Sequence, residues 1–335
     1  MPSTPMSAEP GIPGVPLLAV EDLSVRFKLP QGWVTAVDGV GFEIRPGEVV
    51  GIVGESGSGK SQILLSVMGL LASNGRASGS VRFRGTELLN RPTAELDGIR
   101  GSALSMIFQD PMTSLNPYMR VSEQLTEVLT IHQGLSEVQA LKVAVEMLER
   151  VRIPDARRRI QLFPHEFSGG MRQRVMIAMA LLCKPMLLLA DEPTTALDVT
   201  VQAQILELMA ELGRDLGTAI AIVTHDLGVI ARLCDRVLVL YGGRVMEEGA
   251  IDDIFHDTRH PYTTGLLAAT PRLDAATHGE LRTIPGQPRA AMGDITGCPF
   301  APRCGLKQPV CNETPPLKAG AAGHRLACHL REVRA

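Results

Sequence analysis

The sequence predicts an α/β fold built on a buried parallel sheet, and three observations carry that expectation. "GEVVGIV" (47–53) is a short β-branched run that ends at a Gly-rich loop, and "SQILLSVMGLL" (61–71) beyond it has helical spacing, which makes a strand–loop–helix unit. "MLLLADEP" (186–193) and "AIAIVTHD" (219–226) are continuous apolar runs with polar residues at their C-terminal ends. Parallel strands covered on both faces read this way, and ligands bind at such ends. Between about 112 and 185 the character turns helical.

The elements follow in order. "MPSTPMSAEPGIPGVP" is rich in Pro, Gly and Ser and reads as a mobile tail over residues 1–16, without the basic-then-apolar layout of a secretory signal. "LLAVEDLSVRF" (17–27), "VGFEI" (40–44) and "GSVRFRGTEL" (79–88) are strand-like between turn signals. In the helical block, Ser136 and Gln139 form a capping-box pattern, and Val138, Leu141, Val145 and Leu148 are expected on the buried face. "RVLVLYGGRVMEEG" (236–249) predicts a hairpin about Gly242-Gly243. After about residue 260 the chain grows rich in Pro, Arg, Gly and Cys, which predicts a separate appendage.

Composition narrows the function classes. With 335 residues, 45% hydrophobic and 21% charged, the chain can bury a core plus an appendage. Net charge is −3 and aromatics are 4%, so neither a basic field nor a stacking surface invites nucleic acid. No apolar run approaches the roughly 18 residues of a membrane span. A cytosolic setting is expected, where structural disulfides are unusual.

"GESGSGKS" (54–61) fits G-x-x-x-x-G-K-[ST]. In that pattern Gly54, Glu55, Ser56, Gly57, Ser58 and Gly59 curl the backbone so that N–H groups face phosphate oxygens. Lys60 reaches the β/γ-phosphates, and Ser61 offers its hydroxyl to Mg²⁺. Asp191 ends an apolar strand where a carboxylate can support the Mg²⁺ shell, and Glu192 next to it can polarise an attacking water as general base.

"FSGGMRQRV" (167–175) resembles the signature sequence of ATP-binding cassette ATPases, in which Ser168, Gly169 and Gly170 offer donors ahead of a helix. Gln109 in "IFQDP" matches the family's glutamine loop, Asp198 in "TALD" its D-loop, and His225 in "VTHD" its switch histidine, all in the family's order. One position departs: the commonest signature has Gln where this chain has Met171, a form that resembles peptide-importer subunits. Phe27 falls where the family places an aromatic against adenine, with Trp33 as the rival. The resemblance implies a P-loop core with a RecA-like parallel sheet, an antiparallel β subdomain and an α-helical subdomain, spanning 17–260 with the helical part near 112–180.

It also implies a mechanism and partners. Two cassettes pair head to tail around two ATP molecules. Lys60, Ser61, Gln109, Asp191, Glu192 and His225 serve one ATP with Mg²⁺, and Ser168, Gly169 and Gly170 complete the partner's site. "MIFQDPMTSLNPYMRV" (106–121), "FPHEFSGGMRQRVMIAMAL" (163–181), "RHPYTTGLL" (259–267) and "IPGQPR" (284–289) resemble the oligopeptide and dipeptide importer ATPases, whose C-terminal extension would be residues 261–335. Such subunits sit at the cytoplasmic face of the membrane, on two integral permeases beside a second, related ATPase, with a substrate-binding protein outside. Nickel or cationic-peptide cargo is the alternative, and a soluble cassette acting on DNA or ribosomes is disfavoured by the single cassette and the absent basic patch.

Four of the six cysteines, Cys298, Cys304, Cys311 and Cys328, crowd the last 40 residues as C-x5-C-x6-C-x16-C. The spacing lacks the knuckles usual for zinc, though His324 and His329 stand close enough to substitute for a ligand. Iron–sulfur spacings are less uniform. The set resembles that of peptide-importer ATPases holding a [4Fe–4S] cluster; zinc and free thiols remain the alternatives. Cys183 and Cys234 lie in apolar segments and read as buried thiols.

Overall fold

The computed structural model describes residues 15–109, 114–194, 197–269, 283–287, 296–320 and 323–333. The expected tail lies outside them except for Val15 and Pro16, as do 110–113 of the glutamine-loop stretch, 195–196 of "TALD" and 288–289 of "IPGQPR". By contacts the chain parts into two compact units, taken in turn.

The first unit holds Leu18–Glu43, Val49–Asn90 and the described residues from Val223 on. It contains an antiparallel sheet in the order β2 (Gly32–Ile44), β1 (Leu18–Leu29), β4 (Gly75–Phe83), β5 (Thr86–Glu87). Leu18 and Val20 of β1 are buried, and after a register irregularity between Glu21 and Ser24 the alternation resumes in the opposite phase with Leu23 and Val25. A second run of strands is ordered β11 (Lys318–Ala319), β12 (Arg325–Leu326), β10 (Arg244–Ala250), β9 (Arg236–Tyr241), β3 (Val49–Val53). β3 and β9 are parallel, Val50 against Arg236. β9 and β10 form the predicted hairpin, because Gly242 (φ 56°) and Gly243 (φ 81°) both adopt the left-handed conformation of a tight two-residue turn. Helix α1 (Lys60–Val67) follows β3 through the Gly-rich loop.

The other unit holds Ile44–Glu48, Arg91–Ile222 and the described residues up to Leu17. It carries α2 (Thr93–Asp97), β6 (Leu104–Ile107), α3 (Val121–Gln133), α4 (Glu137–Arg150), α5 (Ala156–Arg159), α6 (Gly169–Leu181), β7 (Leu187–Asp191) and α7 (Val199–Leu216). β6 and β7 are parallel, Ser105 against Leu188, and β8 (Ala219–Thr224) lies beside β7. Every residue of β7 and β8 is buried, which explains their unbroken apolar runs. The capping box opens α4: Gln139 N–H donates to Ser136 Oγ, and the Gln139 amide oxygen accepts from the Ser136 N–H at 3.1 Å.

One expectation is corrected in part: Val138 is 81% exposed and Leu141 and Val145 are half-buried, whereas Leu148 is buried as expected, together with Ala140, Ala144 and Met147. The small Ala140 and Ala144 side chains let α4 lie close to α3 and α6. The described residues after 260 belong to the same unit as β10. β12 pairs with β10, and two adjacent buried acids of β10 tie the extension down. Glu248 is paired with Arg236 and Arg325. Glu247 accepts from Thr258 Oγ1, from the Arg259 and His260 N–H groups, and from His324 Nε2 at 3.1 Å. Acids so deeply buried persist because every lone pair finds a donor. After β8 the chain runs through α8 (Leu227–Leu233), α9 (Ile251–His256) and α10 (Pro261–Ala269).

Candidate functional site

In the unit containing β3, the Gly-rich loop is shaped by backbone contacts that only glycine permits. A Cβ on Gly54 would stand 2.2 Å from the Leu240 carbonyl oxygen, and one on Gly59 would stand 2.4 Å from that of Ala36; both residues have positive φ. Lys60 is 5% exposed and donates from Nζ to the carbonyl oxygens of Gly54 (2.8 Å) and Glu55 (3.0 Å). Ser58 N–H closes the turn onto the Glu55 carbonyl at 3.2 Å. Ser56 and Gly57 are exposed at the loop's outer edge, and Ser61 stands in the first turn of α1. Gly59, the residue capping α1, supplies no side-chain acceptor, so the cap position is open to a phosphate oxygen. A cationic Lys at that point completes an anion cradle.

His225 is exposed just past the end of β8, ahead of Asp226, which caps α8 by accepting from Gly228 N–H at 2.8 Å. Phe27 is half-buried with its ring over Gly75, its cross-strand partner, where a Cβ would come within 2.9 Å. Trp33 is exposed and lies under the Arg26 guanidinium.

The other unit gathers the acids. Asp191 is 6% exposed at the last position of β7. Glu192 follows in the left-handed region (φ 45°), a costly conformation for a side chain with a Cβ and one that marks functional turns. Gln109 Nε2 donates to Glu192 Oε2 at 3.3 Å, so the glutamine-loop amide and the acid at the strand end meet. Ser168 caps α6 by accepting from Met171 N–H at 3.3 Å, and Gly169 and Gly170 form its first turn. A Cβ on Gly170 would lie 2.9 Å from Val201 Cγ1. Asp198 caps α7 by accepting from Val201 N–H at 3.0 Å.

Cys298, Cys304, Cys311 and Cys328 all line one cavity of about 10 Å³, with His260, Phe300 and His329. Burial raises the thiol pKa of Cys298 and of Cys304, and the nearby Cys311 and Cys328 add to both shifts. Yet among the described residues no group of three or more His, Cys, Asp or Glu is spaced to hold a metal ion. The predicted ligand set thus converges on one cavity without closing into a coordination site. His324 is committed elsewhere, to Glu247. Of the remaining cysteines, Cys183 is half-buried rather than fully buried and Cys234 is buried; burial pushes the Cys183 thiol up to about 11 and drives that of Cys234 higher still.

One part of the site had no sequence signal. Arg303, from "APRCG", grips the Glu55 carboxylate, and the Tyr262 hydroxyl accepts from the Glu55 N–H at 3.0 Å. No local pattern pairs residues 248 positions apart.

These loops and strands define an ATP-binding cassette ATPase. The ABC transporter family pattern matches residues 37–195, and that of the oligopeptide/dipeptide transporter C-terminal region matches 246–311. The chain is 58% identical over 312 residues to the oligopeptide transport ATP-binding protein OppD of Salmonella typhimurium, covering 93% of each. It is 55% identical over 315 residues to that of Haemophilus influenzae, covering 94% of this chain and 97% of the relative. A dimeric cassette solved in a post-hydrolysis state with ADP and phosphate matches 70% of this chain and 98% of its own, at TM-score 0.63 and 29% identity. The chain therefore belongs to the ABC transporter ATP-binding proteins, in the oligopeptide/dipeptide branch.

Proposed function

We propose that this chain is the ATP-hydrolysing subunit of an importer of oligopeptides or dipeptides. The observation that carries the reading is the cradle of residues 54–61, with Lys60 drawn onto its carbonyls, in a chain whose C-terminal part matches the oligopeptide/dipeptide transporter region. Lys60 and the loop N–H groups take the β/γ-phosphates. Ser61, Asp191 and Gln109 are the residues that would hold Mg²⁺, which when bound neutralises developing phosphate charge. Glu192 polarises the attacking water, Gln109 orients that carboxylate through the bond already present, and His225 senses the γ-phosphate. Ser168, Gly169, Gly170 and Asp198 serve the ATP of the partner cassette, and an aromatic, Phe27 before Trp33, covers the adenine.

Among the described residues no helix is long and apolar enough to cross a membrane. The proposed assembly is two integral permeases, this chain and a second related ATPase at the cytoplasmic face, and an external binding protein delivering peptide. The test is uptake of a labelled tripeptide into cells co-expressing the candidate permeases. Uptake that requires the intact chain and stops with Glu192→Gln supports the reading; uptake unchanged by that variant removes it.

The four cysteines support a finer proposal, a thiolate-held centre, iron–sulfur before zinc, because all four line one cavity in a segment poor in apolar residues. Anaerobic purification with iron, zinc and sulfide analysis and absorption near 400 nm decides it. A colourless, metal-free protein with four titratable thiols leaves ordinary cysteines.

A further inference from the structure

Glu55, the second residue of the phosphate loop, has every polar group engaged. Its N–H donates to the Tyr262 hydroxyl at 3.0 Å. Its carbonyl accepts from Lys60 Nζ at 3.0 Å and from Ser58 N–H at 3.2 Å. Its carboxylate receives a fork from Arg303, Nη1 to Oε2 at 2.6 Å and Nη2 to Oε1 at 3.2 Å. The same guanidinium donates to the carbonyls of Pro285 (2.9 Å) and Ile284 (3.2 Å) and to the Tyr241 hydroxyl (3.2 Å).

The grip is rigid on the far side as well. Tyr262 is fully buried, and its ring packs against Tyr241 and Phe300 at centroid distances of 4.7 and 5.3 Å. The Arg303 side chain is 6% exposed and that of Glu55 22%, so the forked ion pair is partly buried and only partly screened by water and salt. Both anchors come from beyond residue 260, the segment that the phosphate-loop motif says nothing about. Two consequences follow for the loop. Its carbonyls hold Lys60, and the loop backbone is tied from outside the loop by Tyr262, so less ordering has to accompany nucleotide binding. The Glu55 carboxylate, an anion on a loop built to receive anions, is neutralised by a guanidinium.

We propose that Tyr262 and Arg303 are positioning residues for nucleotide binding, acting from the C-terminal extension through Glu55 on the phosphate loop. This rests on the reading of residues 54–61 as the ATP-binding loop. The test uses the full-length chain with Mg²⁺ and a fluorescent ATP analogue, with thermal midpoints measured on the same samples.

Arg303→Ala is expected to weaken binding about tenfold, the scale of one charged hydrogen-bonded pair. Arg303→Lys, which cannot fork, and Tyr262→Phe, which keeps the ring but loses the acceptor, are each expected to weaken it several-fold with midpoints near wild type. Glu55→Gln combined with Arg303→Ala should cost no more than Arg303→Ala alone, because both act through one contact. Wild-type affinity in folded Arg303→Lys and Tyr262→Phe overturns the proposal even if Arg303→Ala does not fold. Affinity that falls only in step with the thermal midpoint also overturns it. A wild-type chain that binds no nucleotide instead removes the ATP-site reading itself.

Discussion

The two units of this chain treat their functional groups differently. In the unit with β3, the loop of 54–61 is held on every side: Lys60 by two carbonyls, Glu55 by Arg303 and Tyr262, and Gly54 and Gly59 against backbone oxygens. In the unit with β7, Gln109 is exposed and meets Glu192 through one long bond of 3.3 Å, and Glu192 sits in a strained backbone conformation. Phosphate binding is thus built into backbone geometry, where rigidity lowers the ordering cost of the ligand. Gln109 and Glu192, proposed for hydrolysis, meet at the end of β7, where Gln109 is exposed and Glu192 half-buried.

That contrast makes distinct demands on mutants. The largest effect is expected for Glu192→Gln, which should leave nucleotide binding nearly intact while lowering turnover in the assembled transporter about a thousandfold, within the usual range for a lost general base. Turnover within a few-fold of wild type would merge the two halves of the comparison. Lys60→Ala should do the reverse, weakening binding of the ATP analogue about a hundredfold, the scale of two charged hydrogen bonds, with little change in thermal midpoint. An unaltered dissociation constant would leave the cradle without its central cation.

Stability predictions are smaller. Met147→Ala, on the buried face of α4, should cost about 2–3 kcal/mol, whereas Val138→Ala, on the face expected from periodicity, should stay within about 0.5 kcal/mol. Equal costs in denaturant titrations would restore the original face.

Acid should act mainly on the extension. Burial holds His260 down to about 4, despite the raising pull of the neighbouring Glu247 carboxylate. An unfolded histidine titrates near 6.5. Between those values the unfolded chain binds the extra proton, so this contribution to stability is complete above about pH 6.5 and fades as the pH falls toward 4. The thermal midpoint should drop between pH 7.5 and 5 by several degrees, and a His260→Asn variant should show a flatter profile. Identical slopes in the two proteins would remove His260 as the cause.

Much of the fold was legible because its signals are local. The hairpin at Gly242-Gly243, the Ser136–Gln139 box, and the apolar runs of β7 and β8 each depend on residues within a few positions of one another. The phosphate loop was legible for the same reason, since its glycines, Lys60 and Ser61 fall within eight consecutive residues. The α4 face was legible only in part, at Leu148, because Ala140 and Ala144 carry little hydrophobic signal until another helix lies on them.

By itself, then, the sequence determined the strand–loop–helix cradle, the order of the catalytic loops and the branch of the family, since short-range chemistry and ordered motifs encode all three. Only the tertiary structure decided that the residues after 260 join the sheet carrying the phosphate loop, pinned by Glu247 and Glu248, and that Arg303 and Tyr262 reach Glu55. The contacts to Glu55 link positions more than 200 residues apart, 207 for Tyr262 and 248 for Arg303. No periodicity or spacing reports such a pairing, because what selects it is the burial of charge against charge in the folded chain.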